Sequence, residues 1–267
     1  MQKPNFDMIS NLPDYIIGHI LSLLPTKDAV ITCVLSKRWI CLWTFITNLH
    51  FEDSSPSFSK FVSRVLFLVN ASSIQSCSLS LSEVYDAHHV NHWISDIINK
   101  RVKEVSIYSK NRNYIWNYLW QCKSLEKLVQ NMNDCKTVIV PSFVSLSSLT
   151  VLKLIRIAFH FDDPDSYYDT IRIAFHFDDP DSYYDTENPI TLKFPLLREY
   201  ETKNCIWSNV KRVTFDVPML EVLFIEHYTN AFLFGESSQS IIKFCAPRLK
   251  EFAFSGVPVL GYTLQLS

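Results

Sequence analysis

The chain has 267 residues, of which 48% are apolar and 19% charged, with a formal net charge of −2. That composition supplies a core and excludes general disorder, and the near-zero charge argues against nucleic-acid or anionic-membrane partners, which need a basic excess. Four glycines, against an average near 7%, disfavour the phosphate-cradling loops and nucleophile elbows that depend on glycine. The length suggests two units or one elongated one.

The first element is a helix whose apolar face is Leu12, Ile16, Ile17, Ile20, Leu21 and Leu24, at offsets that share one side of a 3.6-residue period. Pro13 suits its first turn and Pro25 stops it. Thr26 is expected to cap a second helix carrying Ala29, Val30, Cys33 and Val34, with Asp28 near its positive end. Ser36 is expected to cap a third helix carrying Trp39, Leu42, Trp43 and Ile46. Three short helices cannot bury all of these faces on one another, and so small a unit needs a partner surface. The excess apolar face therefore predicts docking.

The order Asn11-Leu12-Pro13-Asp14, Ile20-Leu21, Leu24-Pro25-Thr26-Lys27-Asp28-Ala29-Val30, Val34-Leu35-Ser36-Lys37-Arg38-Trp39 and Leu42-Trp43 resembles an F-box. More narrowly, it resembles the F-box of plant F-box/leucine-rich-repeat proteins. The resemblance implies docking on a Skp-family adaptor within a cullin-based ubiquitin ligase. It implies adaptor contacts at Leu12, Pro13, Ile20, Leu21, Leu24, Pro25, Val34, Leu35, Ser36, Arg38, Trp39 and Trp43. The sequence departs from the family pattern at Tyr15, where an acidic residue is usual, and at Ile40, where a basic one is.

Beyond residue 50 an L-x-x-L-x-L strand pattern recurs, the signature of leucine-rich repeats. Its leading positions are Ile74, Val102, Leu125, Leu149, Leu197, Val210, Leu220 and Leu249, at intervals of 28, 23, 24, 48, 13, 10 and 29 residues. Val210 is either an extra strand within one unit or a false match. Helical spacing is visible from Phe58 to Val69 and from Val90 to Ile98, whereas Val138 to Leu146 predicts extended chain or short 3₁₀ turns. The expected architecture is a small all-α three-helix F-box over residues 1–50, then an α/β leucine-rich-repeat solenoid with irregular repeats over 51–267. The competing architecture, a compact α/β domain, wants glycine-bearing turns at strand ends. The apolar run from Leu260 to Ser267 shows no polar capping unit, so a chain truncated at its C-terminus is expected.

Residues 155–170, IRIAFHFDDPDSYYDT, recur without change as residues 171–186. This reads as a recent tandem duplication or a gene-model error, and as an acidic loop; removing one copy brings the 48-residue interval close to the others. A metal site at Asp162, Asp163 and Asp165 is the functional alternative, although an EF-hand loop is excluded by the missing glycine and terminal glutamate. His88, His89 and His92 lack the glutamate of a zinc-binding H-E-x-x-H and are assigned to a partly exposed helix start. Trp116, Trp120 and Trp207 are assigned to packing. Gly256 and Gly261 are spaced as in a P-loop, but Tyr262-Thr263 replaces the required lysine pair. Asn70-Ala71-Ser72 is formally a glycosylation sequon. The seven scattered cysteines lack any C-x-x-C, as in reduced intracellular proteins. No signal peptide and no apolar run of about 18 residues is evident, which points to the cytoplasm, the nucleus or both.

The expected function is a non-catalytic substrate receptor of a Skp–cullin–F-box ubiquitin ligase, with no cofactor and an unidentified target protein held by the repeats. A leucine-rich-repeat scaffold or ligand receptor with a vestigial F-box is the alternative. An enzyme would require a cluster of titratable groups that the sequence does not supply.

Overall fold

Three short helices open the structure: α1 (Asp14–Leu21), α2 (Thr26–Ile31), prolonged by a 3₁₀ turn over Thr32–Val34, and α3 (Trp39–Leu42), prolonged over Trp43–Phe45. The computed structural model describes residues 11–53, 55–70, 74–110, 117–140, 146–161, 190–207, 212–227, 240–256 and 262–267. Pro13 and Pro25 stand directly before α1 and α2, and their carbonyls accept the first helical amides, those of Ile16 and Asp28 among them. Two capping expectations are corrected. Thr26 is the first helical residue, and its fully buried hydroxyl instead accepts the amide of His50 at 2.7 Å. Ser36 stops the Trp39 amide with its carbonyl at 3.0 Å, not with its side chain.

An α/β region follows, with thirteen strands and two longer helices among the described residues. The strands are β1 (Asn48–Glu52), β2 (Ser76–Leu81), β3 (Glu104–Ser109), β4 (Lys127–Val140), β5 (Val151–Phe161), β6 (Ile190–Lys193), β7 (Glu199–Lys203), β8 (Ile206–Trp207), β9 (Arg212–Asp216), β10 (Val222–His227), β11 (Ser240–Cys245), β12 (Glu251–Gly256) and β13 (Tyr262–Leu266). One sheet runs β1-β2-β3-β4-β5-β7-β10-β12, with β8 beside β5, and a second runs β13-β11-β9-β6. Every pairing is parallel. Each expected L-x-x-L-x-L segment contains a strand; Val210 itself lies outside the described residues, but the strand of its segment, β9, belongs to the second sheet, which is why the 13- and 10-residue intervals are short.

The register explains the apolar spacing. Leu49, Cys77, Val105, Leu128, Leu152, Tyr200, Leu223 and Phe252 lie side by side across the first sheet. Two residues on, Phe51, Leu79, Ile107, Gln130, Leu154, Thr202, Ile225 and Phe254 form a second column. Up to β10 both columns are buried, since alternation puts i and i+2 on one face. The leading residues Ile74, Val102, Leu125, Leu149, Leu197 and Leu220 are fully buried just before their strands. Five strands are entered through one recurring turn, in which the leading residue's amide bonds the carbonyl three residues back: Cys122 to Leu125, Leu146 to Leu149, Phe194 to Leu197, Val217 to Leu220 and Ala246 to Leu249. In the last three, proline occupies the second position, where its fixed φ favours the turn.

What backs the sheet changes along the chain. Early on, α4 (Phe58–Leu68) and α5 (Ala87–Asn99) bury Phe58, Val62, Val65, Val90, Trp93 and Ile97, the two helices expected from spacing. Later, second-sheet strands take their place. Phe215 and Phe244 stack at 4.6 Å between centroids, with Tyr200 of the first sheet 5.3 Å from Phe215. With so few glycines, left-handed backbone falls to Arg101, Arg156 and Asn204, at φ 53°, 56° and 50°, strained by about 1–2 kcal/mol at the two arginines and less at Asn204, a residue type that tolerates this region.

The duplicated segment corrects one more expectation. Its first seven residues, Ile155 to Phe161, belong to β5 and not to a loop; the remainder, including Asp162, Asp163 and Asp165, lies outside the described residues.

Candidate functional site

The helical unit divides its apolar residues between two destinations. Ile17, Leu21, Ala29, Trp39, Leu42, Trp43 and Ile46 are 7% exposed or less and join the core. Nine large apolar side chains on the same stretch face outward: Tyr15, Ile20, Leu23, Leu24, Ile31, Val34, Leu35, Ile40 and Phe45. The reason is size. Helices of 8, 6 and 4 residues turn only one side each toward the small core, and both sides are apolar.

The adaptor-contact residues implied by the resemblance are split by this division. Pro13, Ile20, Leu24, Pro25, Val34, Leu35, Ser36 and Arg38 are exposed, with Val34 at 78% and Leu35 at 64%. Leu12 is half-buried. Leu21, Trp39 and Trp43 are core residues, so they shape the surface from beneath. Arg38 has an internal duty as well: its Nε donates to Asp14 Oδ1 at 2.8 Å, and its guanidinium also reaches the Leu12 carbonyl. It ties the start of α1 to the residue before α3. Of the outward residues, sequence reasoning singled out Tyr15 and Ile40 as departures from the family pattern and did not name Leu23, Ile31 and Phe45.

The unit is also fastened to the sheet. Besides the Thr26–His50 bond, Ser22 accepts the Thr47 amide at 3.4 Å with its hydroxyl and the Asn48 side-chain amide at 3.3 Å with its carbonyl. The His50 bond falls on the side of β1 away from β2, whereas the Asn48 side chain also accepts the Ser76 hydroxyl of β2 at 3.1 Å. A cleft of about 300 Å³ opens beside the junction, between Lys27 and Asp28 on one side and His50 and Glu52 on the other, with Phe58 and Phe61 also lining it.

The outward face of the first sheet carries charge rather than apolar surface. Lys153 of β5 bridges Glu199 at 2.5 Å and Glu201 at 3.0 Å on β7, and Lys203 also reaches Glu201 at 3.0 Å. Hydrogen bonding to Glu199 chiefly, then Glu201, holds the Lys153 ammonium above its ordinary pKa. Burial opposes the Glu201 charge, but the two lysines outweigh it and keep the carboxyl below its usual range. Burial pushes the Cys77 thiol up to about 12, which makes it inert. Among the described residues no three His, Cys, Asp or Glu side chains are grouped to hold a metal ion. His92 pairs with Asp96 at 3.1 Å, and the Asp86 side chain caps α5 through the His88 amide. Trp120 is buried as expected; Trp116 and the side chain of Trp207 lie outside the described residues.

Residues 9–48 match the F-box domain family. That match covers the helical unit and its fastening to β1. Beyond that unit the chain is similar to plant F-box/leucine-rich-repeat proteins. It is 34% identical over 156 residues to a putative F-box/FBD/LRR-repeat protein of Arabidopsis thaliana, an alignment covering 55% of the chain and 36% of the relative. An F-box/FBD/LRR-repeat protein of the same plant is 27% identical over 260 residues, covering 94% of the chain and 53% of that relative. A putative FBD-associated F-box protein, also from Arabidopsis thaliana, is 31% identical over 210 residues, covering 74% and 47%. The chain thus spans about half or less of the length of these relatives. No solved structure matches.

Proposed function

We propose that this F-box protein is the substrate-recognition subunit of a Skp–cullin–F-box ubiquitin ligase. Residues 1–50 would grip a Skp-family adaptor, and through it a cullin. Residues 51–267, which we read as an irregular leucine-rich-repeat solenoid, would hold an unidentified target protein. The observation that carries this reading is the outward apolar set of the F-box, above all Val34 and Leu35, more than 60% exposed, on a unit whose own core is already closed. A contiguous set of exposed apolar side chains of this kind marks a protein-interaction surface. The solenoid reading is supported by strands that pair in chain order and by the turn that recurs before them. The mechanism is one of effective concentration: a target held at one end and a ubiquitin carrier delivered at the other react as parts of one molecule. The chain itself would supply no catalytic group, acting in the cytoplasm, the nucleus or both.

Replacing Leu12-Pro13 by Ala-Ala leaves the Leu12 carbonyl available to Arg38 and removes two side chains at the edge of the surface. Co-purification with a Skp-family adaptor is expected to be lost while the thermal melt of the sheet region is kept; retained co-purification would overturn the assignment. A second reading, a repeat scaffold with a vestigial F-box, is favoured by Tyr15 and Ile40, both more than half exposed where the family pattern is charged. It predicts a folded wild-type chain that binds no adaptor.

A further inference from the structure

The adaptor surface proposed above is assembled from stretches far apart in the chain, with Leu12-Pro13 ahead of α1 and Val34-Leu35-Ser36 at the corner between α2 and α3. One side chain joins the two. Arg38, next to the second stretch, reaches back across 24 to 26 residues: its Nε donates to Asp14 Oδ1 at 2.8 Å, its Nη2 to the same oxygen at 2.5 Å, and Nη2 also to the Leu12 carbonyl. Pro13 has no amide to donate, and its carbonyl already takes those of Ile16 and Ile17 at 3.0 and 3.2 Å. Leu12 stands before the helix, so its carbonyl is held by Arg38 rather than by the helical ladder. At the other end of the reach the backbone is fixed: Trp39 is buried, and its amide bonds the Ser36 carbonyl at 3.0 Å.

We propose that Arg38 is a positioning residue for adaptor docking, a strap that sets Leu12-Pro13 against Val34-Leu35-Ser36 before any partner arrives. This inference rests on the adaptor reading and changes the part Arg38 plays in it. The family resemblance implies a contact residue, whereas the guanidinium is engaged within the F-box on Asp14 and Leu12. The task calls for arginine. A planar fork holds its N–H groups in fixed directions and serves a carboxylate and a carbonyl at once, where the ammonium of lysine is a point charge on a flexible stem. With the Asp14 side chain 66% and that of Arg38 35% exposed, the ion pair adds little to the stability of the chain. Binding is another matter, because a segment already held in its docked conformation loses less freedom on association. Leu12 is half-buried and Pro13 exposed, so fixing their backbone also fixes how the pair is presented at the edge of the surface.

A double-mutant cycle on the full chain, read by calorimetric titration with a purified Skp-family adaptor, tests this. Arg38→Ala is expected to weaken binding on the order of tenfold, the size of one lost charge-assisted hydrogen bond. Asp14→Ala should weaken it as well, although the resemblance does not place Asp14 on the adaptor. The double variant should bind no more weakly than Arg38→Ala alone, because the two residues act as one unit. Arg38→Lys keeps the charge and should not restore affinity, and the melting temperature should hold throughout. In the free chain the Ile16 and Ile17 amides should exchange hydrogen faster in Arg38→Ala while those of β2 to β5 do not, a change that a residue acting only by touching the adaptor would not produce. Given wild-type binding, the inference is overturned by full affinity in Asp14→Ala or Arg38→Ala, by losses that add, by rescue in Arg38→Lys, or by unchanged exchange. A folded wild type that binds no adaptor overturns it together with the adaptor reading.

Discussion

The F-box and the sheet region solve the same problem of apolar surplus in opposite ways. Among the described residues the F-box exposes nine large apolar side chains between Tyr15 and Phe45, whereas the much longer sheet region exposes seven. Each strand's apolar face is closed by the strands beside it and by a helix or second-sheet strand behind. The three short helices have no such neighbours beyond β1. Apolar residues in the sheet region therefore bear on stability, and many of those in the F-box stay on the surface, a distinction that residue type alone does not make.

The largest effect should come from the middle of the closed columns. Leu128 is fully buried between Val105 and Leu152, so Leu128→Ala is expected to cost about 2–5 kcal/mol in urea unfolding. Adaptor capture by the remaining folded chain should be unaffected; if capture falls in parallel, the two regions are not separable. Leu35→Glu tests the opposite arm. At 64% exposure it should shift stability by no more than about 0.5 kcal/mol, yet weaken adaptor binding by about 2 kcal/mol or more, as at a buried hot spot. An equal loss of stability would sink the contrast.

A smaller effect sharpens the sheet side of the comparison. Gln130 is fully buried in the second column, between Ile107 and Leu154, and neither its amide nitrogen nor its oxygen has a hydrogen-bond partner. Gln130→Leu should raise the unfolding free energy by roughly 1 kcal/mol, because an unpaired buried amide carries a desolvation cost of about that size. A destabilised variant would show that the amide is satisfied after all. The smallest change is deletion of one 16-residue copy, residues 171–186. It shortens the connection between Phe161 and Ile190 from 28 residues to 12, which loop-closure entropy values at about 0.7 kcal/mol. The sheet should refold around the surviving copy, with a slightly higher melting temperature.

Much of this was legible in the sequence. The F-box is carried by residue identities and spacing that fix all three helices, and the leucine pattern located eight strands because alternating burial imposes its period directly. Strands β1 and β8 of the first sheet escaped, as did β6, β11 and β13 of the second, while β9 of the second sheet was found through the segment led by Val210. Their local signal was the turn that follows β6, β9 and β11, an apolar residue and a proline two positions before the leading leucine, as in Phe194-Pro195 and Val217-Pro218. The strand in Ile155 to Phe161 was hidden by the aspartates that follow it, which coloured the reading of the whole segment. Which side of each F-box helix would be covered was not legible, since Leu21 and Ile20, or Trp39 and Ile40, are adjacent and alike in apolar character. Only the fastening of Ser22 and Thr26 to β1 decides it.

The order of strands in both sheets is the order of the chain, and this bears on how the protein is made. A strand leaving the ribosome finds its partner among residues synthesised shortly before, so pairing never waits for a distant segment still to be translated. Folding can therefore advance with synthesis from the N-terminus. Successive partners such as Leu128 and Leu152 stand tens of residues apart, so each addition carries a similar loop-closure cost. The exception is the passage from β5 to β7, where the duplicated segment intervenes, and that is the point at which growth of the sheet should pause.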